Sequence, residues 1–309
     1  MDFLQRTLDG LLEAGPYALV GLGLTLGFGL LHRVNLAYGA SAMLGAYAGS
    51  WLHVRLDWPV WAVLPCVVLA TALAGLYVQW LCFPDTDRAT GSVQRASSVV
   101  SGADSREVVA LASSFAVWMQ LEQLCVNLLP RHLNPFPDIA STHEWSLGPL
   151  GLRPDRLVMC IAAAGLVMWV ARWIHTNRTG LALRAAADHP LAAHLSGLRV
   201  PQLQRWGFVL ASGLSGVAAC AVLALEGQVT PMFGMWMLMK GLAAAMIGGL
   251  GNLRGLLWSA ALLGVAEAHA QALFGPLGRD AATWGLLLLA LLLRSARKTS
   301  WAPAGGLHA

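Results

Sequence analysis

The chain has 309 residues, 57% of them hydrophobic and only 12% charged, where soluble domains run at roughly 45–50% apolar and about 25% charged. A mean hydropathy of +0.60 does not fit a water-facing surface, and it excludes disorder, which needs a polar, highly charged chain. Glycine shows no three-residue period and no basic stripe accompanies the net charge of +4, so collagen-like and nucleic-acid-binding classes also fall. The composition is that of a polytopic membrane protein.

A spanning helix needs about 20 mostly apolar residues, whereas barrel strands alternate apolar and polar over about 10. Residues 157–170 are apolar on every face, so the predicted fold class is all-α: a polytopic transmembrane helical bundle of about nine membrane segments. In chain order the spans fall roughly at 15–31, 36–53, 59–82, 108–129, 157–174, 203–225, 235–250, 255–274 and 281–294. Met1–Gly15 lacks a basic segment followed by a small-residue cleavage site, so the first span is expected to stay in the mature protein. Every loop is too short for an independent core, which predicts one transmembrane domain over 1–309.

The seventh and ninth spans are short for a full crossing. The seventh ends in Ile247-Gly248-Gly249-Leu250-Gly251, which fits either a broken helix lining a cavity or a small-residue packing face. Lys and Arg in the loops set orientation. The connector after span five carries Arg172, Arg178, Arg184, Arg199 and Arg205 against Asp188 alone, so it is expected in the cytoplasm. Alternation then puts Arg254, Arg294, Arg297, Lys298 and the His32-Arg33 turn inside. The Asn134–Asp155 loop and the N-terminus come out external. The 83–107 loop falls inside, with its Ser- and Val-rich centre at 96–102 expected to be mobile.

Few residues suggest chemistry. No GxxxxGK[ST] run exists, so the chain has no P-loop of its own. Cys66, Cys82, Cys125, Cys160 and Cys220 lie singly in apolar surroundings, as small hydrophobes do. Glu267 and His269 are two apart, on different faces of a helix, and no metal site is expected. Ala211-Ser212-Gly213-Leu214-Ser215-Gly216 is the nearest approach to a hydrolase elbow and reads better as a packing face. Ionisable residues in or near spans are Glu122, Glu226, Lys240 and Glu267; such groups usually face the bundle interior or a wet cavity. Lys240 either lines the pathway or snorkels to the outer interface.

The connector reads Thr179 to Leu198, with Asp188 placed to N-cap a short helix, Pro190 in its first turn and Gly197 as its stop. Between them Leu191, Ala192, Ala193 and Leu195 give a small apolar surface. A helix of this kind either docks into a groove on a soluble partner or lies on anionic headgroups.

The connector resembles the cytoplasmic loop of the branched-chain amino acid class of ABC transporter permeases, whose pattern is met by Gly180, Arg184, Ala185, Ala187, Asp188, Ala193 and Gly197. Gly23-Leu24-Thr25-Leu26-Gly27 with Asn35-Leu36-Ala37-Tyr38-Gly39 and Gly45-Ala46-Tyr47 resembles the first helical hairpin of that class. Gly234 to Lys240, Gly248 to Asn252, then Gly255, Gly264 and Glu267 resemble its C-terminal signature. Tyr38 stands where the family usually has His, Ala40 where it often has a polar group, and His189 where the loop usually has an acid. The 83–107 loop keeps little of the family's basic sequence. Length matches the shorter of the two permease types.

The resemblance implies a multi-pass permease subunit in a bacterial inner membrane, importing a small polar solute: a branched-chain or other amino acid, or a urea- or amide-like molecule. It implies a second homologous permease subunit, two ATPase subunits and an extracytoplasmic solute-binding protein as partners, within the lipid bilayer and without nucleic acid. No cofactor is expected on this chain, ATP being hydrolysed by the partner subunits. The loop at about 176–200 would be the coupling helix, acting through Arg184, Ala185, Ala187, Asp188, Ala193 and Gly197. For the translocation pathway, Asn35, Tyr38, Gly39, Lys240, Gly248, Gly249 and Gly251 are the candidates. The competing classes are an ATPase-independent transporter or channel, which would want a mid-span ion pair (Glu122 with Lys240 is the candidate), and an intramembrane enzyme, for which no paired nucleophile and base is found.

Overall fold

Helix α1 (Asp2–Leu24) continues into a π-helical stretch, Thr25–Leu30, and 78% of its most apolar window is buried. It is the centre of the bundle, although it comes first in the chain. The computed structural model describes residues 2–30, 35–83, 99–128, 134–137, 145–147 and 150–299. Glycine explains how α1 can be surrounded: a Cβ on Gly10 would lie 2.6 Å from the carbonyl oxygen of Gly264, and Gly264 is pressed equally hard onto Gly10. Small residues at such crossings let backbones approach closely, which drives helix association where lipid offers no hydrophobic gain.

After α1 come α2 (Tyr38–Leu56), α3 (Val60–Cys82), α4 (Val99–Leu128), α5 (Pro154–Thr176), the short α6 (Arg178–Asp188) and α7 (Pro190–Leu195), α8 (Val200–Glu226), α9 (Phe233–Gly248), α10 (Leu253–Phe274) and α11 (Pro276–Thr299). Each of the nine expected spans overlaps one of these helices. Seven of them are long and apolar enough for a full crossing among the described residues. The other two are α2, whose 19 residues include Ser, His and Arg, and α9, with only 16.

Three helix starts differ most from expectation. The first helix begins at Asp2 rather than near 15, α4 begins at Val99 within the expected 83–107 loop, and α11 begins at Pro276 rather than 281. For α1 the reason is that its polar residues are matched inside the protein. Gln5 Nε2 donates to the Gly151 carbonyl at 2.8 Å, and Glu13 accepts from Arg156 and Arg279, so residues that interrupt an apolar run do not interrupt the helix. Residues 84–98 of the loop and the His32-Arg33 turn lie outside the described residues.

The tight α9–α10 and α10–α11 turns put the starts of α5, α9 and α11 at the same end of the bundle as the finishes of α8 and α10. Helix α1 runs antiparallel to α10, Gly10 beside Gly264 and Gly29 beside Gly251. One end therefore carries α6 and α7; the other is called the far end below. Strands β1 (Asn134–Pro135), β2 (Trp145–Leu147), β3 (Leu150–Leu152) and β4 (Gln228–Val229) form two short antiparallel ladders there, β1 with β4 and β2 with β3.

Apolar packing falls into two main bodies. In one, Tyr38, Met43, Val63, Val67, Leu223 and Met237 join α2, α3, α8 and α9. In the other, Tyr17, Leu22, Val167, Leu256 and Leu263 join α1, α5 and α10. Helices α1 and α8 are mostly enclosed, while α3, α4, α5, α10 and α11 turn most of their surface outward, as lipid-facing helices do.

Candidate functional site

Two places bring the singled-out residues together. The first is the α6–α7 hairpin. Gly180 is buried where α6 leaves α5: a Cβ there would lie 2.6 Å from Ile174 Cα. Arg184 Nη1 bonds His175 Nδ1 at 2.8 Å, tying α6 back to the last turn of α5. Asp188 does not cap α7 as expected. It is the last residue of α6, and His189, extended at φ −141°, takes the N-cap position without a side-chain bond. The chain needs one residue more to reverse before Pro190, whose fixed φ suits the first turn.

Helix α7 does stop at Gly197, whose φ of +83° is left-handed while the space around its missing Cβ is empty. Backbone conformation, not crowding, demands glycine there. Ala193 is 4% exposed and packs with Ala186 and Val200. Leu191 and Leu195 point the other way, 75% and 80% exposed. Ala185, Asp188 and Gly197 are exposed and Ala187 is half-buried. Of the proposed coupling residues, Ala193 is thus the anchor of α7, and the outward surface belongs to its leucines.

The second place is a chain of charges inside the bundle at its far side. Lys240, midway along α9 and 3% exposed, sends Nζ to Glu267 Oε1 at 2.5 Å, Thr283 Oγ1 at 3.0 Å and Asp280 Oδ1 at 3.3 Å. Glu267, fully buried on α10, accepts through Oε2 from Tyr17 Oη at 2.5 Å and Arg279 Nε at 3.1 Å, and Thr283 also donates to it. Arg279 Nη2 reaches Glu13 Oε2 at 3.1 Å and Tyr17 Oη at 2.7 Å; Arg156 Nη1 meets Glu13 Oε1 at 3.3 Å.

The cations Arg156, Arg279 and Lys240 are so matched by Glu13, Glu267 and Asp280, across α1, α5, α9, α10 and α11. Lys240 does not snorkel. Nor does it pair with Glu122, which lies on α4 and accepts from Trp118 Nε1 one turn away at 2.5 Å; α9 packs on α10 and α11 instead. Above the charges, Glu13, Tyr17, Arg156, Glu226, Trp236 and Arg279 line a cavity of about 190 Å³.

The remaining pathway candidates are dispersed. Asn35, 5% exposed, accepts from the Ala37 N–H at 2.9 Å in the turn that leads into α2. Tyr38 Oη donates to the Val20 carbonyl at 3.0 Å. Gly39 and Gly234 are in reciprocal contact where α2 crosses α9, as are Gly248 and Gly255 where α9 meets α10. Gly249 and Gly251 have φ of 95° and 85° and form the turn into α10, where Asn252 accepts from the Gly255 N–H at 3.1 Å. The glycines close a helix hairpin; α9 does not resume beyond them.

Residues 6–296 match the family model described as the branched-chain amino acid transport system permease component. The chain belongs to this family. It is 25% identical over 296 residues to the high-affinity branched-chain amino acid transport system permease protein BraD of Pseudomonas aeruginosa, covering 94% of each chain. The permease protein LivH of Escherichia coli is 24% identical over 314 residues, with 94% of this chain and 93% of that protein covered. A probable LivH of Methanocaldococcus jannaschii is 23% identical, over 81% of this chain and 75% of its own length.

Sequence reasoning found Lys240 and Glu267 singly but not as partners. The available signal was that a lysine deep in an apolar helix needs an acid, and that Glu267 is an acid within the next span. Glu13, Arg156, Arg279 and Asp280 were missed because each was read as lying outside a span.

Proposed function

We propose that this chain is the membrane-spanning subunit of an ATP-driven importer, moving a branched-chain or other amino acid, or a urea- or amide-like solute, across a bacterial inner membrane. The relatives named for branched-chain amino acid transport support the first solute class. Helix α7 carries the proposal: a hairpin anchored by Ala193 presents Leu191 and Leu195 to whatever sits beyond the bundle end. Exposed apolar side chains on a short helix suit docking into a groove on a partner. On this reading two ATPase subunits bind there, a second homologous permease subunit completes the pathway, and an extracytoplasmic binding protein delivers the solute. The α6–α7 end lies in the cytoplasm with the C-terminus, the N-terminus outside. This chain binds no cofactor and hydrolyses nothing itself.

The coupling follows from how α6 and α7 are held. Closure of the ATPase pair displaces α7; because Gly180 is locked on Ile174 and α6 and α7 both pack on α8, the displacement passes to α5 and α8 as rigid bodies. A transporter needing no ATPase is the competing reading, and the Lys240–Glu267 pair inside the bundle is the feature that favours it. A coupling-ion site must open to water, however, and Glu267 has no exposed surface while its oxygens are taken by Lys240, Tyr17, Thr283 and Arg279. The pair is a pin, not a relay.

The test is to isolate the tagged chain in mild detergent and identify what comes with it. Recovery of a P-loop ATPase, lost in Leu191→Asp/Leu195→Asp, is the expected result. A chain that purifies alone, with uptake abolished by a protonophore and indifferent to ATP depletion, would establish the competing class.

A further inference from the structure

At the α6–α7 end, helix α5 stands off from the start of α10, leaving an open cavity of about 840 Å³ between the last turns of α5 and the α9–α10 turn. Its walls are mostly apolar, from Met168, Trp169 and Leu253, and among the described residues no Asp or Glu lines it. Arg172 and Arg254 stand on opposite sides, and neither guanidinium makes a hydrogen bond or ion pair among the described residues. That sets them apart from Arg156 and Arg279, which are paired at 3.3 and 3.1 Å. Trp169, 63% exposed, borders the cavity, and aromatic rings favour the headgroup region.

We propose that this cavity is a binding site for one anionic phospholipid. The phosphate would sit between Arg172 and Arg254, and an acyl chain would lie along Trp169, Met168 and Leu253. Three physical points converge. Two unpaired cations facing one gap repel each other until an anion enters. The first-turn N–H groups of Leu253 and Arg254 have no intrahelical acceptor, while the Gly255 N–H is taken by Asn252, so among the described residues two backbone donors remain beside the guanidinium groups. The cavity's apolar flank and cationic rim have the polarity order of a lipid, and basic pockets between spans select acidic headgroups. His175 also lines this rim, its Nδ1 2.8 Å from Arg184 Nη1. The inference rests on the membrane placement of α5 and α10 and not on the solute or on the ATPase.

The test takes the transporter, with whatever subunits co-purify, from vesicles of phosphatidylethanolamine and phosphatidylglycerol into mild detergent, and counts retained lipid by native mass spectrometry. Wild type is expected to hold one tight phosphatidylglycerol per copy of this chain. Arg172→Gln/Arg254→Gln is expected to bind it about 30-fold more weakly, roughly fivefold per arginine. Arg172→Lys/Arg254→Lys is expected to keep most of the binding, because a phosphate accepts a point charge. An unchanged melting temperature in both variants separates lost binding from lost folding. Equal retention by the Gln variant, equal retention of phosphatidylethanolamine by wild type, or binding of inorganic phosphate with no lipid held would each overturn the assignment.

Discussion

The two ends of this bundle treat their side chains in opposite ways. At the far side, ionic groups are drawn together in pairs around the enclosed Lys240 and Glu267: Lys240 with Glu267 and Asp280, Arg279 with Glu267 and Glu13, Arg156 with Glu13. At the α6–α7 end, apolar groups are left outside, Leu191 and Leu195 foremost. The first arrangement is complete in itself and fixes α1, α9, α10 and α11 against one another. The second is incomplete in the single chain. A protein that hides its charges where it must be rigid, and shows its leucines where it must be gripped, has separated its scaffold from its handle.

The largest effect should come from unbalancing the enclosed charges. Lys240→Ala removes one of the two cations beside fully buried Glu267 and leaves Arg279 to hold it alone, at a cost on the order of 3 kcal/mol, the lower end for breaking a buried pair. We expect collapse of yield and of the thermal midpoint in detergent, with Glu267→Ala similar. Replacing both, as Lys240→Met/Glu267→Leu, should restore most of the lost midpoint, because a matched apolar pair is often neutral relative to a buried ion pair. A double variant no better than either single one would show that Glu267 is held mainly by Tyr17 and Arg279.

Next comes the hairpin. Leu191→Asp/Leu195→Asp should leave the folding stability within about 0.5 kcal/mol of wild type and still abolish solute uptake, measured on right-side-out vesicles. Ala193→Glu should do the reverse in order of cause, destabilising α7 by about 1–3 kcal/mol through a charge forced against Ala186 and Val200, visible as faster proteolysis between α6 and α8. Gly197→Ala is milder, at roughly 1 kcal/mol, since only the left-handed φ is penalised. The smallest effect belongs to Arg156→Gln: with 31% of the side chain exposed, its bond to Glu13 is worth less than about 1 kcal/mol.

Those predictions also mark what could be read in the sequence. Apolar run length was enough to locate the seven helices that are long and apolar enough to cross among the described residues, because lipid imposes such length directly. The α7 stop was legible at Gly197 because a left-handed residue is a local demand. Its start was not: Asp188 and His189 are adjacent, both compatible with a turn before Pro190, and the packing of α6 on α5 through Gly180 decides between them. The partner of Lys240 was equally hidden. Pairing Lys240 with Glu267 rather than Glu122 depends on which helix lies beside α9, and helix adjacency is a property of glycine contacts such as Gly248 with Gly255, not of any one segment. The start of α1 was missed for the same reason, since Glu13 counts as polar until Arg156 and Arg279 are known to surround it.

The central position of α1 has a consequence in time. Glu13 enters the membrane near the start of synthesis, while Arg279 follows 266 residues later. At about 5–20 residues per second, the first helix waits on the order of tens of seconds with a carboxyl group whose main cation has not been made. Until α10 and α11 arrive, the groove meant for them along α1, with Gly10 at its floor, is open to the wrong neighbour. The maturing chain is therefore most vulnerable to quality-control proteases late in its birth, and the last helices to emerge are the ones that release the first from that risk.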